Sequence, residues 1–221
     1  MERRSDDMAS MSKALHPAAL LLGLLFILSS SVSATLSHNL VFTIPHDDSA
    51  FTQGLEIQNG RMFETTGLYG HSQLREISME DGSLIRSYDL NETFFGEGLT
   101  IINDRILVLT WKAGLILEFD RDTFNLSTQY NLEGEGWGMC SFEDRIIVSD
   151  GTNQLSILDP LTLETVGSIE VTSNDSDIWN LNELECVGDK IYANQWLSPF
   201  IHVISANGGA LISTLDLSTL P

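Results

Sequence analysis

A unit that returns four times constrains this chain more than any other feature. Gln53-Gly54-Leu55-Glu56-Ile57 followed by "NGRMFETTG" is echoed by Glu97-Gly98-Leu99-Thr100-Ile101 with "NDRILVLTW". The unit returns as Trp137-Gly138-Met139 with "EDRIIVSDG", and again as Asn182-Glu183-Leu184 with "GDKIYANQW". The starts, at positions 53, 97, 137 and 182, are spaced by 44, 40 and 45 residues. Each unit continues with two more apolar runs joined by a turn, as in "QLREISMEDGSLIRSYDL" and "LILEFDRDTFNLSTQYNL". Runs rich in Ile, Leu, Val, Phe and Tyr, broken by Gly, Asn and Asp, read as strands and turns. Four short antiparallel strands in roughly 40–45 residues make one propeller blade. The pattern therefore predicts an all-β chain, a β-propeller over residues 35–221. A sandwich offers no reason for so regular a quartet, and the Gly-His and Trp-Asp signatures of WD40 blades are absent.

The blade count holds an oddity. Four complete units fill about 53–217, yet residues 39–45, "NLVFTIP", read as an extra strand before the first. In propellers an amino-terminal strand commonly becomes the outer strand of the last blade. Here the last visible unit has its own outer strand at 210–217, so the extra strand implies a five-bladed ring whose fifth blade lacks its inner strands. Five blades need roughly 220 residues, and 187 follow a 34-residue leader in this 221-residue chain. A four-bladed ring with one additional strand is the alternative.

That leader is read from Arg3, Arg4 and Lys13 ahead of an uninterrupted apolar run of 11 residues, 18–28, followed by "SSSVSA". The run is too short to span a bilayer, and Val32 and Ala34 occupy the small-residue positions of a cleavage site. Residues 1–34 are accordingly expected to be a signal peptide, with an uncleaved anchor as the alternative. Sequons at Asn91, Asn125 and Asn174 fit entry to the secretory pathway, with a secreted, vacuolar or endomembrane-lumen address. The net charge of −20 would repel a nucleic-acid backbone and weakly attract a free amino terminus.

In a propeller the innermost strand of each blade lines the central channel, so repeat-equivalent positions at its start gather at one mouth. Those positions are Gln53, Glu97, Trp137 and Asn182; fourteen residues further in each unit stand Gly67, Trp111, Gly151 and Trp196. Mouth residues of four different characters suit a pocket touching different parts of one small ligand. Rim positions that simply fill with water are the alternative, and interblade packing is the alternative for the tryptophans. Cys140 lies three residues past its mouth position and Cys186 four past, so they should point to opposite strand faces and form no disulfide. His38, His46, His71 and His202 have no metal-ligand spacing, and there is no Cys-x-x-Cys, no Gly-x-Ser-x-Gly and no phosphate loop.

The motifs "AFTQGLEI", "FETTGLYGHSQLREI", "FGEGLT", "LTW", "EGWGM", "SDGT", "LDPLT", "LNELE" and "YANQW" resemble, in order, the plant and bacterial glutamine cyclotransferases, from about residue 46 to 217. The resemblance implies a five-bladed propeller that needs no catalytic metal or other cofactor. It implies conversion of an amino-terminal glutamine of peptides or proteins to pyroglutamate with loss of ammonia. It assigns the acid/base role to Glu97 of "FGEGLT" and a catalytic role to Asn182 of "LNELE". Trp111, Trp137 and Trp196 match the pocket tryptophans, and Phe51 and Gln53 match the aromatic and amide of "FTQGL". A monomer without nucleic-acid partner or stable membrane insertion is expected. One departure stands out: the family continues with "NGIA" and "TGKLWP" segments, whereas this chain ends at Pro221, which reads as truncation within the fifth blade. A propeller that binds peptides or a protein partner without turning them over is therefore the competing reading.

Overall fold

The computed structural model describes residues 34–36, 38–173 and 176–220. Its described residues hold strands and turns with no helix. A short strand β1 (Ala34–Leu36) precedes blade 1, formed by β2 (Thr52–Gln58), β3 (Arg61–Thr66), β4 (Gln73–Ile77) and β5 (Leu84–Asp89). Blade 2 comprises β6 (Gly96–Ile102), β7 (Arg105–Thr110), β8 (Leu115–Asp120) and β9 (Leu126–Asn131). Blade 3 comprises β10 (Met139–Ser141), β11 (Ile146–Val148), β12 (Gln154–Leu158) and β13 (Thr165–Glu170). After a small hairpin of β14 (Thr172–Ser173) and β15 (Ser176–Asp177), blade 4 holds β16 (Leu181–Val187), β17 (Lys190–Gln195), β18 (Phe200–Ser205) and β19 (Leu211–Asp216). Every blade is an antiparallel meander in chain order, the propeller arrangement that the repeat predicts.

Local chemistry sets the turns. Asn59 and Gly60 both adopt positive φ (52° and 75°) between β2 and β3, the geometry of a two-residue hairpin loop that Asn-Gly tolerates best. Between β8 and β9 the Asp120 carboxylate accepts the backbone N–H of Thr123 at 2.8 Å, and Asp159 does the same for Thr162 in blade 3. In those two turns the left-handed position is filled by Phe124 and Leu163, both buried, so packing of a large side chain offsets the backbone strain.

Blades stack face on face. Phe63 and Leu74 of blade 1 meet Leu99 and Ile101 of blade 2. Leu107 and Leu109 of blade 2 meet Met139 and Val148 of blade 3. Cys140 and Ile147 of blade 3 meet Leu184 and Ile191 of blade 4. Each interface joins one face of a blade to the opposite face of the next.

That stacking overturns one expectation. Cys140 and Cys186 form a disulfide, with Cα atoms 5.4 Å apart. They do sit on opposite faces of their own strands, but opposite faces are the ones that adjacent blades press together. The parity that would separate two residues of one sheet unites residues of neighbouring sheets.

The amino-terminal strand differs too. Residues 39–45 form no ladder, and Val41 and Phe42 are exposed. Instead β1, a few residues earlier, pairs in parallel with β19 and takes the free edge of blade 4. With that edge occupied, the following residues have no strand to join. They run to blade 1, where the Asp47 carboxylate meets Arg75 at 2.9 Å and His46 meets Glu64 at 2.8 Å.

Candidate functional site

The innermost strands β2, β6 and β16 each carry a register slip at the mouth end, between Thr52 and Gly54, Gly96 and Leu99, and Leu181 and Leu184. Blade 3 repeats it: Trp137 donates to the Ser149 carbonyl while Ser149 donates to the Gly138 carbonyl, two residues opposite one. Such bulges increase twist and re-aim a side chain. All four fall on the mouth position, which explains why Gln53, Glu97, Trp137 and Asn182 turn toward the channel opening. The glycines that follow three of them serve close approach: a Cβ on Gly98 would lie 2.7 Å from the Gly138 Cα and 2.6 Å from a Glu183 carboxylate oxygen.

These side chains line a cavity of about 370 Å3 with Phe51, Phe95, Trp111 and Trp196. All seven pocket residues that the sequence nominates are therefore brought together. A larger cleft of about 610 Å3 beside blade 1 shares Phe51, but its ionisable groups include the Arg75–Asp47 ion pair, which leaves it less suited to acid–base chemistry. The smaller cavity has aromatic walls fixed against each other. Phe95 stands edge-on to Trp111 with centroids 5.5 Å apart, and Trp137 stands nearly perpendicular to Trp196 at 5.7 Å. Room for them is made at the second repeat level, since a Cβ on Gly151 would strike the Trp137 ring at 2.6 Å.

Glu97 is 7% exposed. Burial against these walls, reinforced by the negative charge of Glu135, pushes its carboxyl up to about 8. Glu135 behaves oppositely. Its Oε2 accepts the indole N–H of Trp111 at 2.8 Å and that of Trp137 at 3.0 Å. These bonds, the Trp137 one first, hold Glu135 below the usual carboxylate range. Two carboxyls whose environments drive their protonation apart are the pattern of an acid–base site.

Below them lies an acidic channel. Both carboxylate oxygens of Glu183 are shut off from solvent. Burial, reinforced by the nearby carboxyls Glu56, Glu97 and Glu185, holds Glu183 well above the usual carboxylate range, and neither of its oxygens has a hydrogen-bond partner. Burial also pushes Glu56 up to about 7 and raises Glu185.

Phe95, Glu135 and Glu183 were not singled out by the sequence as site residues. A signal for the first two does exist. Phe51, Phe95, Glu135 and Asn180 each stand two residues before their mouth position, and alternation sends such residues toward the same side. Glu183 occupies the place where the other blades have Gly54, Gly98 and Gly138.

Fold and site together define a β-propeller protein with a buried carboxyl, Glu97, in an aromatic box at its channel mouth. The family model described as glutamine cyclotransferase matches residues 17–221. The chain is 34% identical to the glutaminyl-peptide cyclotransferase of Arabidopsis thaliana, over 92% of this chain and 69% of that protein. Its structure superimposes on the crystal structure of Myxococcus xanthus glutaminyl cyclase with a TM-score of 0.79 at 31% identity, covering 85% of this chain and 80% of that one. A protein of unknown function from Bacteroides caccae shares only the fold, at TM-score 0.56 and 14% identity. The chain belongs to the glutamine cyclotransferase family.

Proposed function

We propose that this chain is a glutaminyl-peptide cyclotransferase that closes the amino-terminal glutamine of peptides or proteins to pyroglutamate and releases ammonia, with Glu97 as the general acid/base. The observation that carries this reading is Glu97 itself: one buried carboxyl, poised near 8, inside a small aromatic cavity. The reaction needs the α-amine in its neutral form, and that group titrates near 7.7–8.0. The amine nitrogen attacks the γ-carboxamide carbon, the Glu97 carboxylate takes the proton shed by that nitrogen, and a tetrahedral intermediate forms. The same carboxyl then returns the proton to the carboxamide nitrogen, which leaves as ammonia as the C–N bond breaks. One group serves both transfers because its affinity for the proton matches the working pH.

The other residues position. Trp111, Trp137 and Trp196 press the short glutamine chain toward a near-attack conformer. Asn182 supplies an amide for the carboxamide oxygen as charge develops on it, and Gln53 offers a second. Phe51 closes the wall. The strongly acidic surface draws amino termini toward the mouth.

The rest of the reading concerns address and form. Residues 1–34 act as a cleaved signal, and the product is a monomer of the secretory pathway that is secreted or held in a vacuolar or endomembrane lumen. Asn91 and Asn125, both exposed, carry glycans; Asn174 and residues 1–33 of the leader lie outside the described residues, and Ala34 is the first residue of β1. A second reading, peptide binding without turnover, draws on Leu55 and Ile57 of blade 1 and Val187 of blade 4, which are 45%, 55% and 53% exposed on inner strands. The assay that separates the two is ammonia release from a Gln-initiated dipeptide by purified residues 35–221, with pyroglutamate identified by mass. Turnover supports the enzyme; saturable binding of that dipeptide with no ammonia supports the binding module.

A further inference from the structure

Glu135 sits in "EGEGWGM" between Gly134 and Gly136, as Glu97 sits between Gly96 and Gly98. A Cβ on Gly136 would crowd Leu132 at 3.0 Å and Leu109 at 3.1 Å, so the backbone here is pressed against the core, and the Glu135 carboxylate stands behind the cavity wall on the indole N–H groups of two lining residues. Where blades 1 and 2 place Phe51 and Phe95, blade 3 places this half-buried carboxylate. Its Oε2 takes two indole N–H groups from different blades, Trp111 at 2.8 Å and Trp137 at 3.0 Å, and its Oε1 lies 3.8 Å from Lys112 Nζ. Lys112 in turn lies over the Trp111 ring, 4.0 Å from its centroid. At a mouth open to water either indole could find a solvent acceptor. A single fixed acceptor instead ties both ring planes to one point.

We propose that Glu135 is a positioning residue of the site, holding Trp111 and Trp137 as facing walls of the substrate pocket through one shared carboxylate oxygen and setting the charge that the Glu97 carboxyl experiences. This rests on the cyclotransferase reading. The ionisable groups facing Glu97 are Glu135 from the loop before β10 and Glu183 from β16, with Lys112 partly offsetting Glu135.

The test compares wild type with Glu135→Gln, Glu135→Asp and Glu135→Ala. Glu135→Gln keeps an acceptor oxygen and loses the charge, so the alkaline rise of kcat/KM moves down by roughly half a pH unit while KM changes little. Glu135→Ala loses the acceptor, and KM rises roughly tenfold, more than kcat falls. Glu135→Asp recovers part of the KM loss. An independent readout is the set of indole N–H resonances, assigned by Trp→Phe variants. The chain has four tryptophans, so four signals are expected; Glu135→Ala shifts those of Trp111 and Trp137, moves that of their neighbour Trp196 less, and leaves Trp179 in place. Unmoved Trp111 and Trp137 signals, or a kcat loss with unchanged KM and pH profile, overturn the proposal. If wild type shows no turnover, the cyclotransferase reading fails, and the indole signals still decide the positioning role.

Discussion

Glu97→Gln removes one proton and one charge from the centre of the pocket while leaving the volume nearly unchanged, so it separates catalysis from stability. On activity, loss of a positioned acid/base lowers kcat by roughly 100- to 10,000-fold. On stability, the variant is expected to gain. The native carboxyl keeps its proton up to about 8, whereas in the unfolded chain it loses it near 4.5. Between those limits the native state binds more protons, so wild-type stability falls as pH rises through that window and levels off above it. The full displacement corresponds to about 4–5 kcal/mol. Water at the open mouth screens part of it, leaving about 2–4 kcal/mol. For a domain of this size that is roughly 5–15 °C in Tm. Paired thermal melts at pH 4 and pH 9 measure it: the variant's Tm advantage is near zero at pH 4, below the unfolded-state value, and reaches that range at pH 9. A Tm difference that does not change with pH would mean Glu97 is not desolvated in the folded state, and more than a tenth of wild-type kcat in the variant would end its proton-shuttling role.

Other outcomes follow from the same geometry. Replacing both Cys140 and Cys186 by Ala releases a 46-residue separation from its constraint, which lowers stability by about 4 kcal/mol on loop-closure entropy; melts with and without reductant show a comparable drop in wild type and none in the variant. Gly151→Ala places a methyl group 2.6 Å from the Trp137 ring at a backbone φ of +82°, so it costs about 1–3 kcal/mol of stability and raises KM as the indole is displaced, measurable by denaturant titration and steady-state kinetics. Glu183→Gln replaces a buried acid held well above its ordinary range. Its stability advantage over wild type therefore grows from pH 5 to pH 9, and a constant advantage would show that the channel carboxyl is solvated.

Much of the pocket is legible in the chain because a repeat is also a coordinate system. Residues 53, 97, 137 and 182 begin the innermost strand of each blade, and a ring of blades must bring such positions to one mouth whatever the side chains are. That reasoning finds Gln53, Glu97, Trp137 and Asn182 directly, and the second level finds Trp111 and Trp196. It passes over Phe95 and Glu135, two residues earlier on the same face, because their role shows only when rings and hydrogen bonds from separate blades meet. Residues 39–45 mislead for a related reason. Their alternation is that of a strand, but a strand also needs a free edge, and β1 holds the edge of blade 4.

The sequence by itself determined the strand pattern, the blade length and the residues at the channel mouth, because local alternation and a repeat near 44 residues leave little else for such a chain to form. The tertiary structure alone decided what those residues become. Stacking of opposite faces joined Cys140 to Cys186, one carboxylate tied two indoles together, and burial turned Glu97 from an ordinary acid into a carboxyl that holds its proton up to about 8. Acidity and cross-linking depend on what surrounds a side chain in space, and the order of residues along the chain does not state that.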